Sequence, residues 1–175
     1  MRTLVGIVAF LLGAAEASAQ GTWHIDVGVA AFREAWDFNE STESLGGVVA
    51  GVDRRVWKGL SLRGELLALR VMQEADDAWL LGFTVGTRIR WGQERVRRVM
   101  DVAVGVSDAT RPVPPRGTSF NYLAVIGAGV ETPLRSAVVS VTGRWLHASN
   151  NGREGRHRNP DIQSVGAVVS VGWEY

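Results

Sequence analysis

The sequence lacks cysteine, a strong net charge and any long apolar run after its N-terminal segment. Without cysteine, neither a disulfide framework nor a thiolate metal site can form. The 19 Lys and Arg residues nearly balance the 18 Asp and Glu residues. This balance argues against nucleic acid as a partner, because nucleic acid calls for a basic face. No later segment is long and apolar enough to predict a spanning helix.

The N-terminus predicts a secretory signal peptide over residues 1–19. Arg2 supplies the positive start, Leu4–Ala15 the apolar core, and Ala17–Ala19 a small-x-small cleavage site. The apolar core is shorter than the roughly 20 residues that a spanning helix needs. We therefore expect export and cleavage, which leaves residues 20–175 as a single mature domain.

The remaining chain is rich in glycine and tryptophan, with 21 and 7 residues, which favours a β-protein with interfacial aromatic side chains. Eight segments alternate with period two, the signal of a strand. They are Thr22–Phe32, Ser44–Val56, Leu60–Met72, Ala78–Trp91, Arg97–Ser107, Thr118–Thr132, Arg135–Ser149 and Ile162–Tyr175. Short and long connections alternate between them, as in transmembrane barrels.

The alternation also predicts which face meets lipid. In the fourth segment one row is apolar and begins and ends with tryptophan, at Trp79 and Trp91, whereas the other row is small or charged. The small and charged rows predict a narrow lumen whose charges pair with one another. Its expected members are Asp26, Arg63, Glu65, Arg88, Arg90, Asp101, Glu131 and Arg144. The fold predicted is all-β, an eight-stranded antiparallel transmembrane barrel of a Gram-negative outer membrane; the alternative is a secreted soluble β-sandwich or lipocalin-like barrel.

The stretch "WLHASNNG" at residues 145–152 contains the most reactive pair of side chains. His147 and Ser149 share one face of a strand, with Cα atoms about 6–7 Å apart. They follow Trp145 and precede a long loop, so they are expected on the lipid-facing surface at the level of the outer-leaflet headgroups. An imidazole can take the proton of a serine hydroxyl that attacks an ester, although the spacing alone also fits a solvated strand end.

The segments "HASNNG", "NPDIQSVG" and "GTSFNYLAVIGAG" together resemble the outer-membrane lipid A 3-O-deacylases, the PagL or acyloxyacyl hydrolase-like family. The resemblance is strongest from Gly117 onward. It implies an eight-stranded barrel that cleaves the ester-linked acyl chain at the 3-position of lipid A. No metal or cofactor is expected, because the residues show neither metal-ligand spacing nor a glycine loop that could hold a phosphate. The resemblance also implies His147 as general base and Ser149 as nucleophile, with Asn150 as oxyanion donor, helped by the backbone of Gly152.

One position departs from the family, whose best-described members carry a glutamate on the last strand as the third catalytic residue. Gln163 stands at that position here. Three interpretations follow. Gln163 orients the histidine in a slower enzyme, Glu154 or Asp161 supplies the carboxylate from the loop, or activity is lost. The last of these motivates an alternative function, a non-catalytic barrel with an envelope-structural or adhesion role.

The loop after the motif is basic, with Arg153, Arg156 and Arg158. Together with the family resemblance, this predicts contacts to lipid A phosphates or core sugars, because guanidinium groups bind phosphate in a bidentate manner. The expected partners are lipopolysaccharide and outer-membrane lipid, with a homodimer left open. His24 has lumen parity near Asp26 and is expected to be a packed polar group rather than a catalytic one.

Overall fold

In a computed structural model, eight strands form one closed antiparallel barrel, in which each strand pairs with its neighbours in sequence and β1 pairs with β8. The structure describes residues 22–36, 42–93 and 95–175, without the side chain of Arg156; the proposed signal peptide lies outside them. The strands are β1 (Trp23–Glu34), β2 (Ser44–Trp57), β3 (Leu60–Met72), β4 (Ala78–Gln93), β5 (Val96–Ala109), β6 (Asn121–Leu134), β7 (Ala137–Ser149) and β8 (Ile162–Glu174). The predicted eight-stranded antiparallel fold is confirmed.

The connections differ in length at the two ends of the barrel. Two-residue turns join β2 to β3, β4 to β5 and β6 to β7 at one end, which we call the turn end. The other four connections are longer and lie at the opposite end, the loop end, where a short 3-10 helix (Arg156–Arg158) lies in the last loop. No helix among the described residues is long and apolar enough to span a membrane.

The barrel is apolar outside, whereas its interior is polar towards the turn end and apolar towards the loop end, where Leu69, Leu80 and Leu146 belong to a buried cluster. Outward side chains such as Val29, Leu81 and Val104 are 61%, 67% and 61% exposed. Four of the seven tryptophans, Trp23, Trp57, Trp91 and Trp173, lie near the turn end, and the other three near the loop end. The predicted outward rows are therefore confirmed, with aromatic side chains towards both ends as in the girdles of membrane barrels.

A network of ion pairs fills the part of the lumen towards the turn end. Arg63 binds Asp26 and Glu65, and Arg144 binds Glu65 and Asp101. Further pairs are Arg88 with Asp101 and Glu131, and Arg90 with Asp53 and Glu131. The predicted members are confirmed, and Asp53 is an additional member. Because each guanidinium contacts at least two carboxylates, the desolvated charges compensate one another.

Two strands begin two or more residues later than the alternation predicts. β6 starts at Asn121 rather than Thr118, because the Asn121 amide donates to the carbonyl oxygens of Val113 and Thr118 and stabilises a turn. β7 starts at Ala137 rather than Arg135, because Arg135 has φ 57° and belongs to the turn. Both shifts reflect local turn geometry, which period-two patterns do not report.

Candidate functional site

The candidate site lies at the loop end of β7, between β6 and β8. His147 faces outward, opposite Ala124 of β6 and Gln163 of β8. Ser149 is the last residue of β7 and pairs with Tyr122 of β6. The register therefore brings the predicted histidine, serine and glutamine to one corner of the outer surface.

His147 has a carboxylate on one side and an indole ring on the other. Its Nδ1 atom lies 3.6 Å from Asp161 Oδ2, with both side chains about a quarter exposed (26% and 25%). The imidazole stacks on Trp145, with ring centroids 5.7 Å apart and planes 15° from parallel. The Nδ1 atom is buried and makes no hydrogen bond to any described residue. Asp161 therefore lies beside Nδ1, the ring atom that a carboxylate orients in a Ser-His-Asp arrangement.

Gln163 contacts Asp161 rather than the imidazole. Its Nε2 atom donates to Asp161 Oδ2 at 2.5 Å, and its Oε1 atom accepts a hydrogen bond from Trp145 Nε1 at 3.1 Å. A chain of two hydrogen bonds thus runs from Trp145 through Gln163 to Asp161. The Asp161 carboxylate in turn lies beside the imidazole of His147. Glu154 pairs with Arg158, away from this chain. Of the carboxylates considered from the sequence, Asp161 is the one that approaches His147.

Ser149 has the predicted outward parity, but the loop that follows covers it, and it is only 7% exposed. Its hydroxyl donates to Asn159 Oδ1 at 3.0 Å and accepts a hydrogen bond from the Asn151 backbone N–H, also at 3.0 Å. No hydrogen bond joins Ser149 to His147 among the described residues. The Ser149 hydroxyl is therefore hydrogen-bonded to residues of the loop and not to His147.

The two predicted oxyanion donors also contact the loop. The Asn150 backbone N–H donates to Asn159 Oδ1 at 3.0 Å, and its side-chain amide donates to the Arg158 carbonyl. The Gly152 N–H donates to Asn150 Oδ1 at 2.8 Å. Asn159 Oδ1 thus accepts hydrogen bonds from both the Ser149 hydroxyl and the N–H of the next residue.

The loop arginines make separate contacts at the surface. Arg153 donates to the Tyr122 hydroxyl at 2.9 Å. Arg158 donates to the Gly117 carbonyl at 3.2 Å, besides its ion pair with Glu154. Arg156 belongs to the 3-10 helix, but its side chain is outside the described part of the chain. Arg153 thus contacts the strand residue that pairs with Ser149, whereas Arg158 contacts the loop between β5 and β6.

The second histidine lies inside the lumen. His24 Nδ1 is 3.3 Å from Asp53 Oδ2 and 3.6 Å from Asp26 Oδ2, as predicted for a packed polar group. The three residues are close enough to share a cation. However, Arg63 and Arg90 bind the same two carboxylates, so their positive charge takes the place of a metal ion.

Sequence reasoning missed Asn159 and the contacts of Trp145. Asn159 precedes a proline in a polar loop, and that pattern signals only a turn. Trp145 was expected at the membrane interface by type, whereas the structure also places it against the imidazole. The stacking is compatible with strand periodicity, since Trp145 and His147 lie two residues apart on one face of β7, but the Asn159 contact depends on how the loop lies against β7.

No family model and no curated protein matches the chain. Solved structures do match. The outer-membrane enzyme PagL is 17% identical with TM-score 0.58, covering 86% of this chain and 98% of its own. Neisserial surface protein A is 10% identical with TM-score 0.59 and coverages of 89% and 98%. The attachment invasion locus protein Ail of Yersinia pestis is 14% identical with TM-score 0.53 and coverages of 90% and 100%.

At such identities these likenesses establish the fold. Combined with the apolar exterior and the ion-paired lumen, they define the class: an eight-stranded β-barrel of the Gram-negative outer membrane. The class includes an enzyme and surface proteins alike, so the chemistry of this chain has to be argued from its own site.

Proposed function

We propose that the protein is an outer-membrane esterase that hydrolyses the 3-O-linked acyl chain of lipid A. The observation that carries the proposal is the outward corner of β7, where His147 approaches Asp161 and Ser149 follows two residues later. On the lipid-facing side of a barrel, a polar group is costly unless it is paired or functional. The resemblance of the surrounding segments to lipid A 3-O-deacylases supplies the substrate class.

In the proposed reaction, His147 takes the proton of Ser149 as the Oγ atom bonds to the ester carbonyl carbon. The tetrahedral intermediate then collapses, and the sugar oxygen leaves with the proton from His147. Water, deprotonated by the same imidazole, attacks the acyl-enzyme and releases the fatty acid. Asp161 holds the imidazole at Nδ1 and stabilises its positive charge, and Gln163 positions Asp161.

The loop has to rearrange before Ser149 can react. Asn159 Oδ1 now accepts from the Ser149 hydroxyl and the Asn150 N–H. A substrate carbonyl oxygen that replaces it would meet the same N–H, which is how a backbone donor stabilises an oxyanion. We therefore assign Asn159 as a stand-in for the substrate carbonyl and the Asn150 N–H as an oxyanion donor, with Gly152 contributing through the shape of the loop.

Arg153, Arg156 and Arg158 are proposed to bind the phosphates or core sugars of lipopolysaccharide. The observed contacts of Arg153 and Arg158 use only part of each guanidinium, so donors are left for a second partner. Nothing on the described surface argues for a homodimer, and the mechanism does not call for one.

The test is to incubate the refolded protein with lipopolysaccharide in detergent and to measure the mass of lipid A. The expected result is loss of one hydroxyacyl chain, abolished by Ser149→Ala and retained by Ser136→Ala. Ser136 is a matched control because it is an exposed serine in the β6–β7 turn. No loss of acyl chain at long times and high protein load would contradict the proposal.

The second candidate is a non-catalytic envelope barrel. Two observations favour it: the Ser149 hydroxyl bonds to Asn159 instead of His147, and Gln163 stands where the family carries glutamate. This candidate predicts that lipid A keeps its mass and that Ser149→Ala changes nothing.

A further inference from the structure

The turn end of the barrel carries a ring of cationic side chains, which we call the basic rim. Its members are Arg54, Arg55, Lys58, Arg95, Arg97, Arg98 and Arg135. Among the described residues of this end, Glu174 is the exposed acidic side chain, and it pairs with Arg97 at 2.7 Å. Asp53 and Glu131 are buried in the lumen network. The rim therefore presents a clear excess of positive charge.

The loop end does not show this excess. There, Arg70 pairs with Asp77, Arg111 with Asp76, and Arg158 with Glu154. Further described acids of this end are Glu34, Glu43, Glu74, Asp108 and Asp161. The formal net charge of +1 for the whole chain thus conceals an asymmetry along the barrel axis.

Two arginines of the basic rim lie on the lipid-facing surface, directly across from tryptophans. Arg54 of β2 pairs with Trp23 of β1, and its guanidinium carbon lies 5.3 Å from the indole centroid. Arg98 of β5 pairs with Trp91 of β4, which is 45% exposed. Because tryptophan settles at the membrane–water interface, both guanidinium groups lie at the depth of lipid headgroups.

We propose that the basic rim binds anionic phospholipid headgroups of the periplasmic leaflet. Short turns of outer-membrane barrels face the periplasm, which puts the rim in that leaflet. Guanidinium groups bind phosphate oxygens in a bidentate manner, and an anionic bilayer surface attracts basic segments beside it. A soluble anionic polymer of the periplasm would contact the tips of the turns, at Lys58, Arg95 and Arg135. Arg54 and Arg98 face outward instead, where they can contact lipid headgroups.

The test is competition between lipids. The refolded protein is exposed to mixed micelles with equal amounts of phosphatidylglycerol and phosphatidylcholine, and the retained lipids are counted by native mass spectrometry. The expected result is several-fold preference for phosphatidylglycerol, which falls as salt screens the charges. In the double variant Arg54→Gln/Arg98→Gln the preference should fall to near parity.

A matched control removes the same charge at the other end, in Arg70→Gln/Arg111→Gln, and should keep the preference. Heat-dependent mobility in SDS gels reports whether each variant is folded. If the Gln variant does not fold, Arg54→Lys/Arg98→Lys keeps the charge and should retain most of the preference. Equal retention of both lipids by the wild type, or an equal loss in the loop-end control, would overturn the proposal. The proposal would also be overturned if the protein sedimented with purified peptidoglycan and showed no preference between the two lipids.

Discussion

Two histidines of this barrel each lie near carboxylates, and they differ in which face of the sheet they occupy. His24 points into the lumen, is 4% exposed, and lies near Asp26 and Asp53, which Arg63 and Arg90 neutralise. His147 points outward and approaches Asp161, a carboxylate positioned by a neutral glutamine. The charged groups around His24 are paired with one another inside the lumen. The cluster around His147 lies on the outer surface, which a lipid can contact.

The difference shows that residue type alone does not define a site. In the lumen, each charged group has its partners within the barrel, so its effect is on stability. On the outer surface, the imidazole of His147 has no hydrogen bond at Nδ1 among the described residues, and in the proposed function it acts on a lipid ester. Substitutions should therefore separate the two clusters: changes at the outer one alter rate, and changes in the lumen alter the free energy of unfolding.

The largest effect on rate is expected at His147. His147→Asn removes the general base and should lower lipid A deacylation by about 10^3-fold or more, with the fold retained. His24→Asn is the matched control and should keep the rate of the folded protein. Initial rates by mass spectrometry, normalised to the folded fraction, would measure both. A comparable loss in the two variants would remove the distinction between the clusters.

Asp161→Asn should come next. An amide cannot stabilise the imidazolium, so the rate should fall by roughly 10^2- to 10^4-fold while stability changes little. Asp108→Asn is a control at an exposed aspartate of the same end, near the end of β5. It should leave the rate of deacylation unchanged. A full rate in Asp161→Asn would place the third catalytic residue elsewhere.

In the lumen, Arg88→Met should lower the free energy of unfolding by about 3–5 kcal/mol, because Asp101 and Glu131 lose a buried partner. Urea titration in phospholipid vesicles, followed by tryptophan fluorescence, measures this change. Arg33→Met, at an exposed position of β1, should change stability by at most about 0.5 kcal/mol. Its rate per folded molecule, like that of Arg88→Met, should equal the wild-type rate.

The smallest expected effect is at Gln163. A glutamate there would place a second negative charge against Asp161 and lose the hydrogen bond that Gln163 donates to it. Gln163→Glu should therefore lower the rate by roughly tenfold, a loss of about 1.4 kcal/mol in transition-state stabilisation. A higher rate would show instead that position 163 itself holds the third catalytic residue, as in the family that this chain resembles.

Much of the fold could be predicted from the sequence, because strand alternation is local. Leu60–Met72 was predicted with both bounds as observed, and the other strands differ by at most a few residues. Lumen members such as Arg88 and Glu131 follow from the same parity. Less of the candidate site could be predicted from the sequence. The position of His147 follows from parity, but the burial of Ser149 depends on the loop that covers it.

By itself, the sequence determined the barrel, the two faces and the placement of His147 near Ser149. These follow from period-two patterns, since each residue's face depends only on its neighbours along the strand. The tertiary structure decided the partners. Asp161 approaches His147 because β8 pairs with β7 in a register that sets Gln163 opposite the histidine. Asn159 reaches Ser149 because the loop folds back through hydrogen bonds between residues nine and ten positions apart, which the period-two pattern of the strands does not specify.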